Sequence, residues 1–150
     1  MAKSVEPLHV LIDDREKRPW HFSEFCTTEV VHLPSADYSM AGWTDKLACE
    51  RKSLDDLILS IGPARDRFLD VCRRMQNYEH RLLVVEADIA DVLAHRYESR
   101  TNPSSIVGST IAIFHDYNLS TAWWHSPKVA ADLVERWFRR IAAKAEERAA

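Results

Sequence analysis

The chain has 150 residues, 46% of them hydrophobic and 29% charged, with a formal net charge of −3. That length suits one compact domain, 1–150, burying roughly two-thirds of the surface of its unfolded chain. No stretch approaches the ~18 consecutive apolar residues a membrane span requires, and Met1–Glu6 lacks the apolar core of a secretory signal.

A cytosolic protein is therefore expected. Cys26, Cys49 and Cys72 are odd in number and form no CxxC pair, which argues against a zinc site or a disulfide framework. The slight acidity does not mark the whole chain as a nucleic-acid binder. A local cluster of carboxylates can mask basic residues elsewhere in the total, so local arrangement weighs more than net charge.

Leu8–Ile12 reads as a buried strand that delivers Asp13, Asp14, Arg15 and Glu16 at its C-terminal end. Pro19-Trp20 breaks it, and Thr27–Leu33 is a second, β-branched strand punctuated by Pro34. Asp37–Ala41 and Lys46–Lys52 form a predicted hairpin with Gly42, Thr44 and Asp45 at its turn. Ser53 is an N-cap with Asp56 three residues on, and Leu54, Leu57, Ile58 and Ile61 give the helical apolar stripe. Gly62-Pro63 ends that helix; the next carries Phe68, Val71, Cys72 and Met75 on its apolar face.

Arg81–Ala87 is a buried strand, and Asp88 caps a short helix to about His95. Asn102-Pro103 opens a helix over 103–118, Leu119–Trp124 is a strand, and Ser126-Pro127 opens the last helix, 126–145. Lys144–Ala150 is expected to fray. The order β-β-β-β-α-α-β-α-α-β-α predicts an α/β fold, its first strands a meander, with one mixed sheet covered by helices.

Chemistry concentrates near strand ends. In the run Leu47–Lys52, alternation places Glu50 and Lys52 on one face and Arg51 on the other. If Asp37 lies on the partner strand, it points to Glu50's side. Two carboxylates and an ammonium then converge, a constellation suited to phosphodiester hydrolysis. Carboxylate oxygens hold Mg²⁺ or Mn²⁺, the ion acidifies a bound water, and the lysine stabilises developing charge. Any one of these acids alone reads as a solvated charge, or for Asp56 as a helix cap.

The D…E-x-K pattern resembles that of restriction-endonuclease-like enzymes, and a more specific resemblance accompanies it. Glu50-Arg51-Lys52 followed by Asp56 matches the E-R-K-x-x-x-D motif of the XPF family of structure-specific DNA endonucleases. Asp13-Asp14-Arg15-Glu16 matches its D-x-R-E, and Ala36-Asp37-Tyr38 its G-D-Y. These motifs stand in the family's order within residues 8–87.

The resemblance implies metal binding by Asp37 and Glu50, helped by Asp13 and by the backbone carbonyl of Arg51. It implies that Lys52 is the catalytic lysine, that Arg15 and Glu16 support the site, and that Arg51 makes a structural ion pair. Asp56 is placed between a supporting role and a plain cap. Arg65, Arg67, Arg96 and Arg100 are candidate DNA contacts, since arginine favours phosphate geometry.

Two departures stand out. Ala36 replaces the motif glycine, so φ there is expected to stay negative, and no helix-hairpin-helix module is evident. The expected protein is a metal-dependent DNA endonuclease of bacterial or phage type, cytoplasmic and nucleoid-associated. It would act at branched sites or single-strand/duplex junctions and pair as a homodimer or heterodimer through its nuclease domains. The alternative is a non-catalytic DNA-binding or partner subunit, against which the presence of Asp37, Glu50 and Lys52 speaks.

Overall fold

A computed structural model describes residues 6–150. The N-terminal stretch read as lacking a secretory core falls, for residues 1–5, outside the described residues. Six strands, β1 (Leu8–Asp13), β2 (Cys26–Val31), β3 (Tyr38–Met40), β4 (Leu47–Ser53), β5 (His80–Glu86) and β6 (Ser120–Trp123), form one sheet in the order β2-β1-β3-β4-β5-β6. Five helices accompany it: α1 (Leu54–Ile61), α2 (Arg65–Met75), α3 (Ile89–Leu93), α4 (Pro103–Asp116) and α5 (Pro127–Ala149).

Only β3 runs against its neighbours; β1–β2, β4–β5 and β5–β6 all pair in parallel. The expected meander is therefore corrected. Strand β2 passes to the far side of β1 and forms the sheet edge, through a crossover over residues 14–25. A parallel connection cannot be a tight turn, and here it is held by Trp20, which is 3% exposed and stacks on Tyr38.

Alternation along the strands divides the core. Val10, Ile12, Tyr38, Cys49 and Val84 face α5, whose Ala130, Val134, Phe138 and Ile141 cover them. Ala48, Leu83 and Val85 face the opposite way, against Leu57 of α1, Phe68 and Cys72 of α2, and Ile106 and Ile113 of α4. Helix starts follow the anticipated caps. Ser53 accepts from Asp56 N, Asp88 from Ala90 N, Asn102 from Ser104 N and Ser126 from Val129 N, each filling an otherwise orphaned donor.

Two local expectations fail. The last helix does not fray at Lys144 but continues to Ala149. Ala36 does not keep a negative φ; at +63° it occupies the left-handed conformation that glycine would adopt freely. Among the described residues, no helix is long and apolar enough to cross a membrane.

Candidate active site

Because β1, β2, β4, β5 and β6 are mutually parallel, their C-terminal ends share one edge of the sheet, together with the start of the reversed β3. That edge collects Asp13, Asp37, Glu50, Lys52 and Glu86. Ligand sites in open α/β sheets form at the carboxyl ends of strands.

Asp37 sits in the residue before β3, fixed by its own backbone. Its N–H donates to the Cys49 carbonyl at 3.0 Å, and its carbonyl accepts from Asp13 N at 2.9 Å. Its carboxylate Oδ2 accepts from Arg51 N at 2.8 Å. Glu50 is 7% exposed. Burial pushes its carboxyl well above the usual range, the neighbouring Asp37 adds to the rise, and the charge of Lys52 works in the opposite sense. A negative charge beside a buried carboxyl disfavours its ionised form. Lys52 shares Glu50's face, and its Nζ lies 5.0 Å above the Phe68 ring of α2, a cation–π contact that seats the ammonium.

Asp13 ends β1 on the same edge at 1% exposure. Its oxygens are already engaged: Oδ1 accepts from Leu33 N at 3.0 Å, and Oδ2 from Arg15 Nε at 2.7 Å. Burial lifts its carboxyl, but these bonds outweigh it and hold the group below its ordinary value. Among the described residues, the ligand atoms that close to within 4.8 Å as a group of three are those of Asp13, Asp14 and His32. Asp13, Asp37 and Glu50 do not close to that spacing.

On the other face lies a buried polar network that the motifs alone did not reveal. Arg51 Nε donates to Glu86 Oε1 at 2.8 Å, and its Nη1 donates to Glu16 Oε2 at 3.1 Å and to the Arg18 carbonyl at 2.6 Å. Tyr38 Oη donates to Glu16 at 2.8 Å and accepts from Trp20 N at 2.8 Å; Trp20 Nε1 donates to the second Glu86 oxygen at 3.0 Å. The Arg51 guanidinium stands 5.0 Å over the Trp20 ring. Burial, then the charge of Asp37, raise the Glu16 carboxyl. Trp20 is the member that sequence reasoning missed; Glu86 was legible as the glutamate closing an apolar strand, but without a role.

The remaining candidates are dispersed. The N–H of Asp56 donates to Ser53 Oγ. Arg65 donates to the Ile61 carbonyl at 3.2 Å, and Arg67 lies exposed on the same first turn of α2. Arg96 pairs with Asp91 at 2.6 Å, and Arg100 is exposed in the loop before α4.

Fold and site together define a restriction-endonuclease-like α/β domain. The ERCC4 domain model matches residues 12–136. The chain is 30% identical over 134 residues to the 3'-flap repair endonuclease Xpf of Saccharolobus solfataricus, a match covering 86% of this chain and 54% of that protein. Structures of XPF from Aeropyrum pernix, alone and in complex with DNA, match with TM-scores of 0.67 and 0.68 at 24% identity. They cover 90% and 92% of this chain and 65% and 66% of theirs. The chain thus spans about half the length of that curated relative. It belongs to the ERCC4-domain family and has the fold of the XPF nuclease domain.

Proposed function

We propose that this domain is a divalent-metal-dependent endonuclease that hydrolyses phosphodiester bonds in DNA. One observation carries the reading: the facing carboxyls of Asp37 and Glu50 share a sheet edge and a face with Lys52. The buried Glu50 carboxyl beside a second acid is unfavourable without a cation nearby, and hard oxygen donors suit Mg²⁺ or Mn²⁺. Asp37 and Glu50 would hold the ion, with Asp13 and the Arg51 carbonyl as further donors. When bound, such an ion supplies a more acidic water and neutralises charge on the phosphate.

The protein's own groups do the rest. Lys52 orients the attacking water or stabilises charge on the reacting phosphate. Arg51 N fixes the Asp37 carboxylate, and Arg15 holds Asp13. Arg51 itself, tied to Glu86 and Glu16, positions β4 from behind. Asp56 lies on the first turn of α1 beside this assembly. Arg65, Arg67 and Arg100 offer phosphate contacts, whereas Arg96 has first to release Asp91.

The flap-cleaving relative supports branched DNA or single-strand/duplex junctions as substrate. We also infer pairing of this domain with a like domain, in a homodimer or heterodimer. Exposed Leu93 on α3, with Ile111 and Phe114 on α4, supports that reading. The proposal completes as a cytoplasmic, nucleoid-associated enzyme of bacterial or phage type.

The test is cleavage of a panel of single strands, duplexes, flaps, forks and nicked circles with and without Mg²⁺ or Mn²⁺. Metal-dependent cutting by the wild type is expected, with Asp37→Ala and Lys52→Ala folded but reduced by at least ~100-fold. Full activity in either variant would falsify the mechanism.

A further inference from the structure

A cleft of about 730 Å³ opens on the same sheet edge, beside the acidic pair but toward the α5 face. Its walls include Arg15, Lys17 and Arg18 from the β1–β2 crossover, Ser53 and Asp56 at the start of α1, and Pro127 at the start of α5. Glu16, Arg51 and Glu86 line its floor.

The crossover is not a loose basic loop. Glu16 turns inward, bound by Tyr38 Oη and Arg51, and its N–H donates to the Asp13 carbonyl at 3.1 Å. Two residues on, the Arg18 carbonyl is clamped by Arg51 Nη1. With Glu16 and the Arg18 backbone pinned, the side chains of Lys17 and Arg18 stand out into solvent. Arg15 spends its Nε on Asp13 Oδ2 and leaves its two terminal nitrogens exposed; the side chain is 65% accessible.

The charges in the cleft are sorted by depth. On the floor, Glu16 and Glu86 are both bound by Arg51. At the mouth, Lys17 and Arg18 form no ion pair among the described residues, unlike Arg73, Arg96, Arg136 and Arg139, whose guanidinium groups are held by carboxylates. Asp56 is the acidic group left at the rim. Three cations on a fixed frame, the first of them, Arg15, bound to Asp13 and within the electrostatic reach of Asp37, suit a chain of phosphates. Arginine and lysine bind phosphate oxygens through charge-assisted hydrogen bonds, and a frame ordered before binding loses less entropy on association.

We propose that Arg15, Lys17 and Arg18 form a phosphate cleft that grips the nucleic-acid backbone flanking the bond cut at Asp37, Glu50 and Lys52. This rests on the endonuclease reading. It names contacts other than the four arginines that the sequence suggested, and it sets the path of the strand. From the acidic pair on one face of the sheet, the backbone passes over the C-terminal strand edge toward the N-terminus of α5.

The test is equilibrium binding of a fluorescent flap duplex in EDTA, so that neither metal nor cleavage enters, across a series of salt concentrations. The Lys17→Ala/Arg18→Ala double variant removes only exposed side chains and leaves the Arg18 carbonyl clamp in place. It should bind roughly tenfold more weakly at ~0.1 M salt. Its plot of log affinity against log salt should be shallower by about 1.4 to 1.8, the release of two phosphate contacts. Charge reversal, Lys17→Glu/Arg18→Glu, should weaken binding further.

The control is Lys46→Ala/Arg140→Ala, which removes two cations from a groove at the opposite end of the sheet and should bind like the wild type. Unchanged affinity and slope in the Lys17/Arg18 variants, or an equal loss in the control, overturns the cleft while leaving the endonuclease standing. A wild-type protein that binds no DNA overturns both.

Discussion

Ala36 carries the sharpest conflict at the level of single residues. At φ +63° an alanine bears a steric cost of roughly 1–2 kcal/mol that glycine avoids. Against this, its methyl group is buried in the core cluster that holds Ala48 and Leu57 and contributes roughly 0.8 kcal/mol. Glycine would also give the unfolded chain about 0.4–1 kcal/mol of extra entropy. The opposing effects nearly cancel. Ala36→Gly should therefore shift unfolding free energy by less than ~1 kcal/mol, whereas Ala36→Val, β-branched in a left-handed position, should lose at least ~2 kcal/mol in urea melts. A neutral valine would show that the backbone relaxes there.

This residue also marks a limit of legibility. Sequence identifies an alanine where the motif has glycine. It does not show that the hydrogen bonds of Asp37 to Asp13 and Cys49 are strong enough to hold the strained conformation. The facing of Asp37, Glu50 and Lys52 followed from alternation along β4. The engagement of Asp13 by Leu33 did not, because it depends on where the crossover places residues twenty positions apart.

Among the elements, those with a strong local signature were readable: α1 with its Ser53 cap, β5 with its apolar run, and α4 and α5 with Asn102-Pro103 and Ser126-Pro127. Strand β2 was found beside β1, but its parallel direction and its place at the sheet edge were not. Consecutive strands pair in turn often enough to suggest a meander, and the contrary information lies in one tertiary contact, Trp20 stacked on Tyr38.

Helices α3 and α4 pose the opposite case, fully legible yet incompletely buried. Leu93, Ile111 and Phe114 are 62%, 60% and 56% exposed, more than a helix pair in a solitary domain needs to show. If this face pairs with another domain, Ile111→Asp/Phe114→Asp should shift the wild-type mass in light scattering from dimer to monomer without lowering the secondary-structure content. A wild type that is monomeric at tens of micromolar excludes the homodimer.

For the molecule as a whole, the acidic pair links stability to pH and to metal. The Glu50 carboxyl is raised above 4.5 in the folded state, so the native protein binds more protons than the unfolded chain. Its contribution is fully present below pH ~4.5 and is lost as pH rises through the folded value. Metal-free Glu50→Gln should accordingly be more stable than the wild type at pH 7–8, by about 1 kcal/mol, with the difference closing toward pH 4. Millimolar Mg²⁺ should raise the Tm of the wild type but not of the variant. A constant difference across pH would show that Glu50 does not titrate in this way.

The two faces of the sheet are also completed at different times. Every residue of the acidic edge, from Asp13 to Glu86, precedes α3, and α1 and α2, joined later by α4, cover the face that carries Glu50 and Lys52. The other face holds Val10, Ile12, Tyr38, Cys49 and Val84 and is roofed by α5, the last element of this sequence. During N-to-C synthesis the acidic motifs therefore leave the ribosome while half of the apolar core still lacks its cover. A nascent chain at that stage carries an open hydrophobic sheet, the kind of surface that chaperones hold and that aggregates when left unattended.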